Sequence, residues 1–302
     1  MAEIEIDGAP ADPARLAALG LLNYGHFTTL RVEGGAVRGL ELHLDRLVRD
    51  CRALFAVELD RAVVRERIRA ALPADGGPGI VRVTCYDPAL GLERPAAPAA
   101  PVLLVTTRPV GAVAPAPLRV RTVAHRRELP TVKHVGLFGL VRHRRAAQLA
   151  GYDDVLLTDG NGLVTEGATW NVAFLAGERL VLPAGPALPG VTEALLSGAY
   201  DGPQSREPVR VDELARFDAA FALNAGVGLR PLAAVDGTAF DPDHPLLADL
   251  RAAYLGIAAD RVWAPSGCRC RPGGSPGRVT NSARNRRDGT DDLPGTLGCS
   301  RS

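Results

Sequence analysis

The chain has 302 residues, 46% hydrophobic and 23% charged, enough apolar material for one or two ordinary domain cores. Its formal net charge of +1 argues against a concentrated basic surface, and so against nucleic acid or an anionic membrane as a partner. The first thirty residues hold Glu3, Glu5, Asp7 and Asp12 with no basic segment ahead of an apolar run, and no stretch is long enough to span a membrane, so the expectation is a cytoplasmic protein without a secretory signal.

In chain order, residues 27–32 read as a strand, Gly34 and Gly35 as a turn, and residues 36–40 as the returning strand. Leu44, Leu47, Val48, Cys51, Leu54 and Phe55 recur at three- and four-residue steps, which predicts an amphipathic helix. A second helix is expected over 62–72, then strands rich in β-branched residues over 80–86 and 102–107. Pro and Ala dominate residues 113–117, the expected linker. Beyond it come a strand over 118–124 and a basic helix over 139–150. Two hairpins follow, one around Asp159-Gly160-Asn161-Gly162 (strands 155–158 and 163–165) and one around Ala176-Gly177 (strands 172–175 and 180–182). A helix over 194–200, a strand over 219–223 and a helix over 246–255 complete the body.

This pattern predicts an α/β, two-domain (α+β) protein with a smaller domain over 1–112, a linker over 113–117 and a larger domain over 118–263. From 264 to 302 the aliphatic residues almost vanish, and seven arginines oppose three aspartates. That segment is expected to be a disordered tail, and its surplus of positive charge leaves the body mildly acidic. Five cysteines, Cys51 and Cys85 in the body and Cys268, Cys270 and Cys299 near the end, lack paired C-x-x-C spacing, so a reducing setting and no metal are expected.

Of the 35 lysine and arginine residues only Lys133 is a lysine. GC-rich coding that converts lysine to arginine could leave one survivor by chance. A guanidinium, however, stays protonated and cannot form an imine, whereas an amine can, so retention for Schiff-base chemistry is the sharper reading. Pyridoxal phosphate enzymes need such a lysine, an acidic partner for the ring nitrogen, and donors around a phosphate. Glu166, just after a hairpin strand, and Gly190-Val191-Thr192, at a helix start, are candidates for the second and third needs. Taken alone, one reads equally as a solvated strand end and the other as a plain helix start.

The segments Leu42-His43-Leu44-Asp45-Arg46-Leu47, Lys133-His134, Gly151 through Leu157 running into Asp159 through Asn171, and Leu188-Pro189-Gly190-Val191-Thr192 resemble the class IV aminotransferase family, the pyridoxal phosphate enzymes of fold type IV. The resemblance extends to about residue 262. It implies a D-amino acid/branched-chain aminotransferase-like fold with the cofactor in an interdomain cleft, and a homodimer. It implies that Lys133 carries the cofactor, Glu166 pairs with the ring nitrogen, and Arg46 reaches the phosphate. Val191, Thr192, Asn224 and Ala225 would complete the phosphate cup, and Asn171 would support the cofactor loop.

Phe27, Thr29 and Arg31 share one face of the first strand, which lines the substrate pocket in the family. Arg31 either grips a substrate carboxylate or faces solvent. Residues 27–32, with Asn224-Ala225, look most like the family's aminodeoxychorismate lyases, which form p-aminobenzoate and pyruvate. The alternatives are an amino acid transaminase of D-amino acid or branched-chain type, and a non-catalytic binder of phosphorylated metabolites. Three departures stand out. Tyr24-Gly25-His26 replaces the usual Gly-Asp-Gly turn. Gly136 and Phe138 occupy positions that usually offer a polar partner to the cofactor's phenolic oxygen. Glu193 stands where arginine is common and is expected to weaken charge complementarity at the phosphate.

Overall fold

The computed structural model describes residues 4–72, 77–110 and 115–262. Trp263, the expected tail over 264–302 and the start of the expected linker lie outside the described residues. The chain opens with β1 (Ile4–Ile6), β2 (Ala9–Pro10) and α1 (Pro13–Leu22), then β3 (His26–Glu33), β4 (Ala36–Arg38), α2 (Leu40–Phe55), α3 (Arg61–Ala70), β5 (Gly79–Tyr86) and β6 (Val102–Arg108). A second run holds β7 (Leu118–Ala124), α4 (Phe138–Leu149), β8 (Asp154–Thr158), β9 (Val164–Gly167), β10 (Asn171–Ala176), β11 (Arg179–Pro183), α5 (Val191–Ala199) and β12 (Gln204–Glu207). It continues through β13 (Ala219–Asn224), β14 (Gly228–Val235), β15 (Thr238–Ala239) and α6 (Pro245–Gly256), and β16 (Ala259–Arg261) returns to the first sheet beside β4.

The first sheet runs β16-β4-β3-β5-β6-β1-β2, and its pairs are antiparallel. Alternation along β3 decides what each face does. Leu30 and Val32 join Val81, Val83, Leu103 and Val105 in a core closed by Leu40, Leu44, Leu47 and Cys51 of α2. Phe27, Thr29 and Arg31 therefore lie on the opposite face. The α2 stripe predicted from Leu44 begins earlier, at Leu40, because Gly39 ends β4 in the left-handed region at φ 69°. A Cβ on Gly39 would also lie 2.9 Å from a methyl of Leu195 on α5, so glycine here serves both the turn and a close approach between α2 and α5.

The second sheet runs β12-β11-β10-β13-β14-β7-β8-β9, with β15 on β14. It is mixed, with parallel pairs β11/β12, β14/β7 and β7/β8. Both of its faces are covered: Phe174 and Val172 pack into one core, Ala173 and Leu175 into another closed by α5 and α6. This explains the unbroken apolar runs of β10 and β13, which alternation could not orient. Among the described residues no helix is long and apolar enough to cross a membrane.

Candidate active site

A cavity of about 300 Å³ opens between the free face of the first sheet and the edge of the second, where α5 and the segments before α4 and after β13 converge. Lys133 lines it, with Phe27, Thr29, Arg46, Glu166, Asn171, Val191, Thr192, Asn224 and Ala225. Ten of the eleven residues singled out from sequence thus meet in one place. Arg31 does not. Although it shares the face of Phe27 and Thr29, it lines a neighbouring cavity of about 170 Å³. There it pairs with Glu33 at 2.7 Å and donates to the Gly226 carbonyl at 3.2 Å. Glu33, two residues along the same strand face, pairs with the guanidinium that the sequence leaves open between a substrate carboxylate and solvent.

The main chain of Lys133 is held from two sides. Its N–H donates to Oδ2 of Asp50 at 2.9 Å, and its carbonyl accepts from Phe27 N–H at 2.9 Å. Asp50 is fully buried one turn beyond Arg46 on α2. The amine lies over the Phe27 ring, 4.9 Å from its centroid. Burial, reinforced by the nearby Arg46 and Arg127 and opposed by Glu166, lowers its pKa to about 7. Since only the neutral amine is nucleophilic, acylation of Lys133 in cofactor-free protein is expected to rise through about pH 7 and level off. Peptide mass spectrometry reads it cleanly because no other side-chain amine exists. An inflection near the ordinary lysine value of about 10 would contradict this environment.

Glu166 forms a buried ion pair with Arg127, Oε1 to Nη1 2.9 Å, and its other oxygen accepts from Leu188 N–H at 3.3 Å. Arg127 also donates to the carbonyls of Pro130 (3.0 Å) and Val132 (2.8 Å). One guanidinium therefore ties the carboxylate to the loop that carries the lysine. In sequence, His125-Arg126-Arg127 reads as ordinary surface charge, so this role had no signal.

At the far end, α5 begins at Val191 with no side-chain cap on Gly190, leaving amide N–H groups and the positive dipole end free. The Thr192 hydroxyl and Arg46 Nε are both buried without a hydrogen-bond partner. Arg46 donates to the Pro189 carbonyl, and burial lowers its pKa to about 10. Asn171 donates to the Leu188 carbonyl at 2.8 Å. A Cβ on Gly190 would lie 2.1 Å from its Oδ1, so the loop closes only over glycine. Asn224 shapes its own turn by accepting from Gly226 and Val227 N–H at 3.0 and 2.9 Å.

Glu193 is paired with Arg206 at 2.5 Å and does not line the cavity. Phe138 is exposed and Gly136 abuts His134, while Leu137 and Leu140 line the cavity instead. Two cationic residues on the first sheet were not anticipated. Arg82, directly opposite Thr29 in the β3/β5 register, stacks on Phe27 with its guanidinium 3.6 Å from the ring centroid. Arg108 lies at the mouth on β6. Strand pairing, which the sequence does not display, puts both on the Thr29 face.

The amino-transferase class IV family profile matches residues 25–235. The fold is similar to that of the fold IV transaminase of Curtobacterium pusillum (26% identity, 80% of this chain and 89% of that one, TM-score 0.68). It is also similar to the branched-chain aminotransferase of Thermoproteus uzoniensis (21%, 83% and 93%, 0.72), and to a Legionella pneumophila protein assigned as a 4-amino-4-deoxychorismate lyase (21%, 77% and 90%, 0.65). No curated protein sequence matches significantly. The family match covers more than half of the chain, including the cavity, its lysine and the α5 start: the protein belongs to the class IV aminotransferases, pyridoxal phosphate-dependent enzymes of fold type IV that act on small-molecule amines.

Proposed function

We propose that Lys133 carries pyridoxal phosphate in the cavity and that the enzyme is an aminodeoxychorismate lyase. The donor set suits the cofactor: a buried amine with a pKa near 7, a buried carboxylate at Glu166, and, around an uncapped helix start, a hydroxyl and a guanidinium nitrogen that lack partners. Thr192, Arg46 and the amides of Val191 and Thr192 would hold the phosphate, with Asn224 and Ala225 closing the cup and Asn171 keeping its loop in place. Glu166 would face the ring nitrogen. When bound, the cofactor supplies an aldehyde for the substrate amine and a sink for the electrons released at the adjacent carbon.

Lys133 Nζ, whose pKa burial lowers to about 7, would take the proton from the carbon bearing the amino group and would return it to the departing pyruvate unit. Arg127 holds Glu166 and the Lys133 loop in register. The observation that favours the lyase is the pair Arg82 and Arg108, neither in an ion pair with a protein carboxylate among the described residues. Two guanidinium groups at the substrate end suit an amine carrying two carboxylates. Product analysis with aminodeoxychorismate beside a panel of D- and L-amino acids tests this. Formation of p-aminobenzoate and pyruvate is expected, and rapid release of keto acids from the panel would instead establish a transaminase. Charge-assisted hydrogen bonds contribute about 1.5–3 kcal/mol each, so Arg108→Leu is expected to raise KM at least about tenfold with little change in kcat.

The transaminase reading draws support from the likeness to the Curtobacterium pusillum enzyme. A non-catalytic binder would leave Lys133 unlabelled by borohydride reduction in the presence of the cofactor. A homodimer accords with Phe138 and Val141, exposed together at the start of α4 beside the cavity wall; light scattering tests it. A cytoplasmic setting accords with the free thiols of Cys51 and Cys85.

A further inference from the structure

On the face of the first sheet turned away from the cavity, three ligand-type side chains meet inside the core. His26 and Cys85 are directly opposed in the β3/β5 register, and Cys51 reaches them from α2. One nitrogen or sulfur atom from each lies within 4.8 Å of the others, and all three residues are fully buried. Neither imidazole nitrogen of His26 has a hydrogen-bond partner, an exception in a folded core, where buried polar atoms are normally satisfied. No sequence spacing marks this group, because its members lie on three separate elements. The absence of a C-x-x-C pair, which led to the expectation of no metal, therefore does not bear on it.

We propose that His26, Cys51 and Cys85 form a binding site for a thiophilic metal ion, Zn²⁺ by charge balance. The two sulfurs are 3.9 Å apart. Two thiolates about 2.3 Å from a tetrahedral zinc are separated by about 3.8 Å, whereas a disulfide needs about 2.05 Å. The Cys85 thiol points at the Cys51 sulfur, and both side chains are fully buried. Thiolate ligation requires both sulfurs to give up their protons to the arriving cation, so metal uptake at this site is proton-linked. Zn²⁺ with two thiolates and a neutral imidazole carries no net charge, the condition under which ionic groups are tolerated in an apolar core.

The site lies directly behind the reactive lysine. Gly25 and Phe27, which flank His26, are hydrogen-bonded to Val135 and Lys133 at 2.9 Å each, and Cys51 follows Asp50, which holds the Lys133 amide. A Cβ on Gly25 would lie 2.6 Å from the Cys85 carbonyl, so the strands approach closely here. An ion bound by these three residues would pin β3, β5 and α2, the elements that fix the main chain of Lys133.

The test uses the full chain, purified with its cofactor, carrying Cys268→Ser, Cys270→Ser and Cys299→Ser so that only the two body thiols remain. Cells grown in zinc-depleted medium with Co²⁺ load the site as the chain folds. About one equivalent of cobalt is expected, with sulfur-to-cobalt charge-transfer absorbance, and His26→Gln or Cys85→Ser should lower retained metal to below about a tenth. X-ray absorption of the zinc-loaded protein needs no substitution at the site. It should report two sulfurs and at least one nitrogen, which separates this site from capture by His125 and His143, whose rings lie 4.9 Å apart. Failure to retain metal, a shell without sulfur, retention unchanged in the variants, or a Cys51–Cys85 disulfide in the isolated protein would each overturn the proposal.

Discussion

Lys133→Arg is expected to abolish covalent retention of the cofactor and to lower turnover at least about 10⁴-fold, the scale on which loss of a covalent catalytic group acts. Arginine keeps the positive charge and much of the length, but its guanidinium holds its protons to above pH 12. The chemistry requires an amine that is neutral near pH 7, as burial and the surrounding arginines make Lys133. Folding should survive, because Asp50 and Phe27 bond to the main chain of residue 133 rather than to its side chain. Loss of the cofactor's visible band and of borohydride labelling, with unchanged far-ultraviolet circular dichroism, is the expected result. Lys133→Ala should regain part of its turnover when a small primary amine is supplied. A Lys133→Arg protein that still turned over at more than a hundredth of the parent rate would remove Lys133 from the mechanism.

Composition made this lysine visible, and period-two alternation made Phe27 and Thr29 visible, because each depends on local sequence. The helix α2 and the two hairpins were legible for the same reason. Arg31 shares the face of Phe27 and Thr29, but its pairing with the acid two residues away is not encoded in periodicity. Asp50 and Arg127 act on the main chain of residues distant in sequence, so no spacing rule could find them. Arg82 and Arg108 reach the site only through the β3/β5/β6 register. The strands β1, β2 and β16, at the two ends of the first sheet, are two or three residues long, too short to carry a period. In β14, Arg230 and Pro231 interrupt the apolar pattern that would mark a strand.

Arg127→Met is expected to destabilise the protein by about 3–5 kcal/mol, because it strands the Glu166 carboxylate in a site where both partners' side chains are 7% exposed. At the size of this domain that corresponds to a fall in Tm of roughly 10 °C. Adding Glu166→Gln removes the stranded charge and should recover much of the loss without recovering cofactor affinity, since the partner proposed for the ring nitrogen is gone as well. A purely structural role would end there, but Arg127 is also one of the cations that lower the pKa of Lys133, while Glu166 raises it. Removing Arg127 alone therefore shifts that balance upward, and the acylation profile of Lys133 should inflect above its parent value. Phe174→Ala, a comparably disruptive change in the second-sheet core, should lower Tm and leave the inflection in place. An unmoved inflection in Arg127→Met would mean that the guanidinium braces the loop and nothing more.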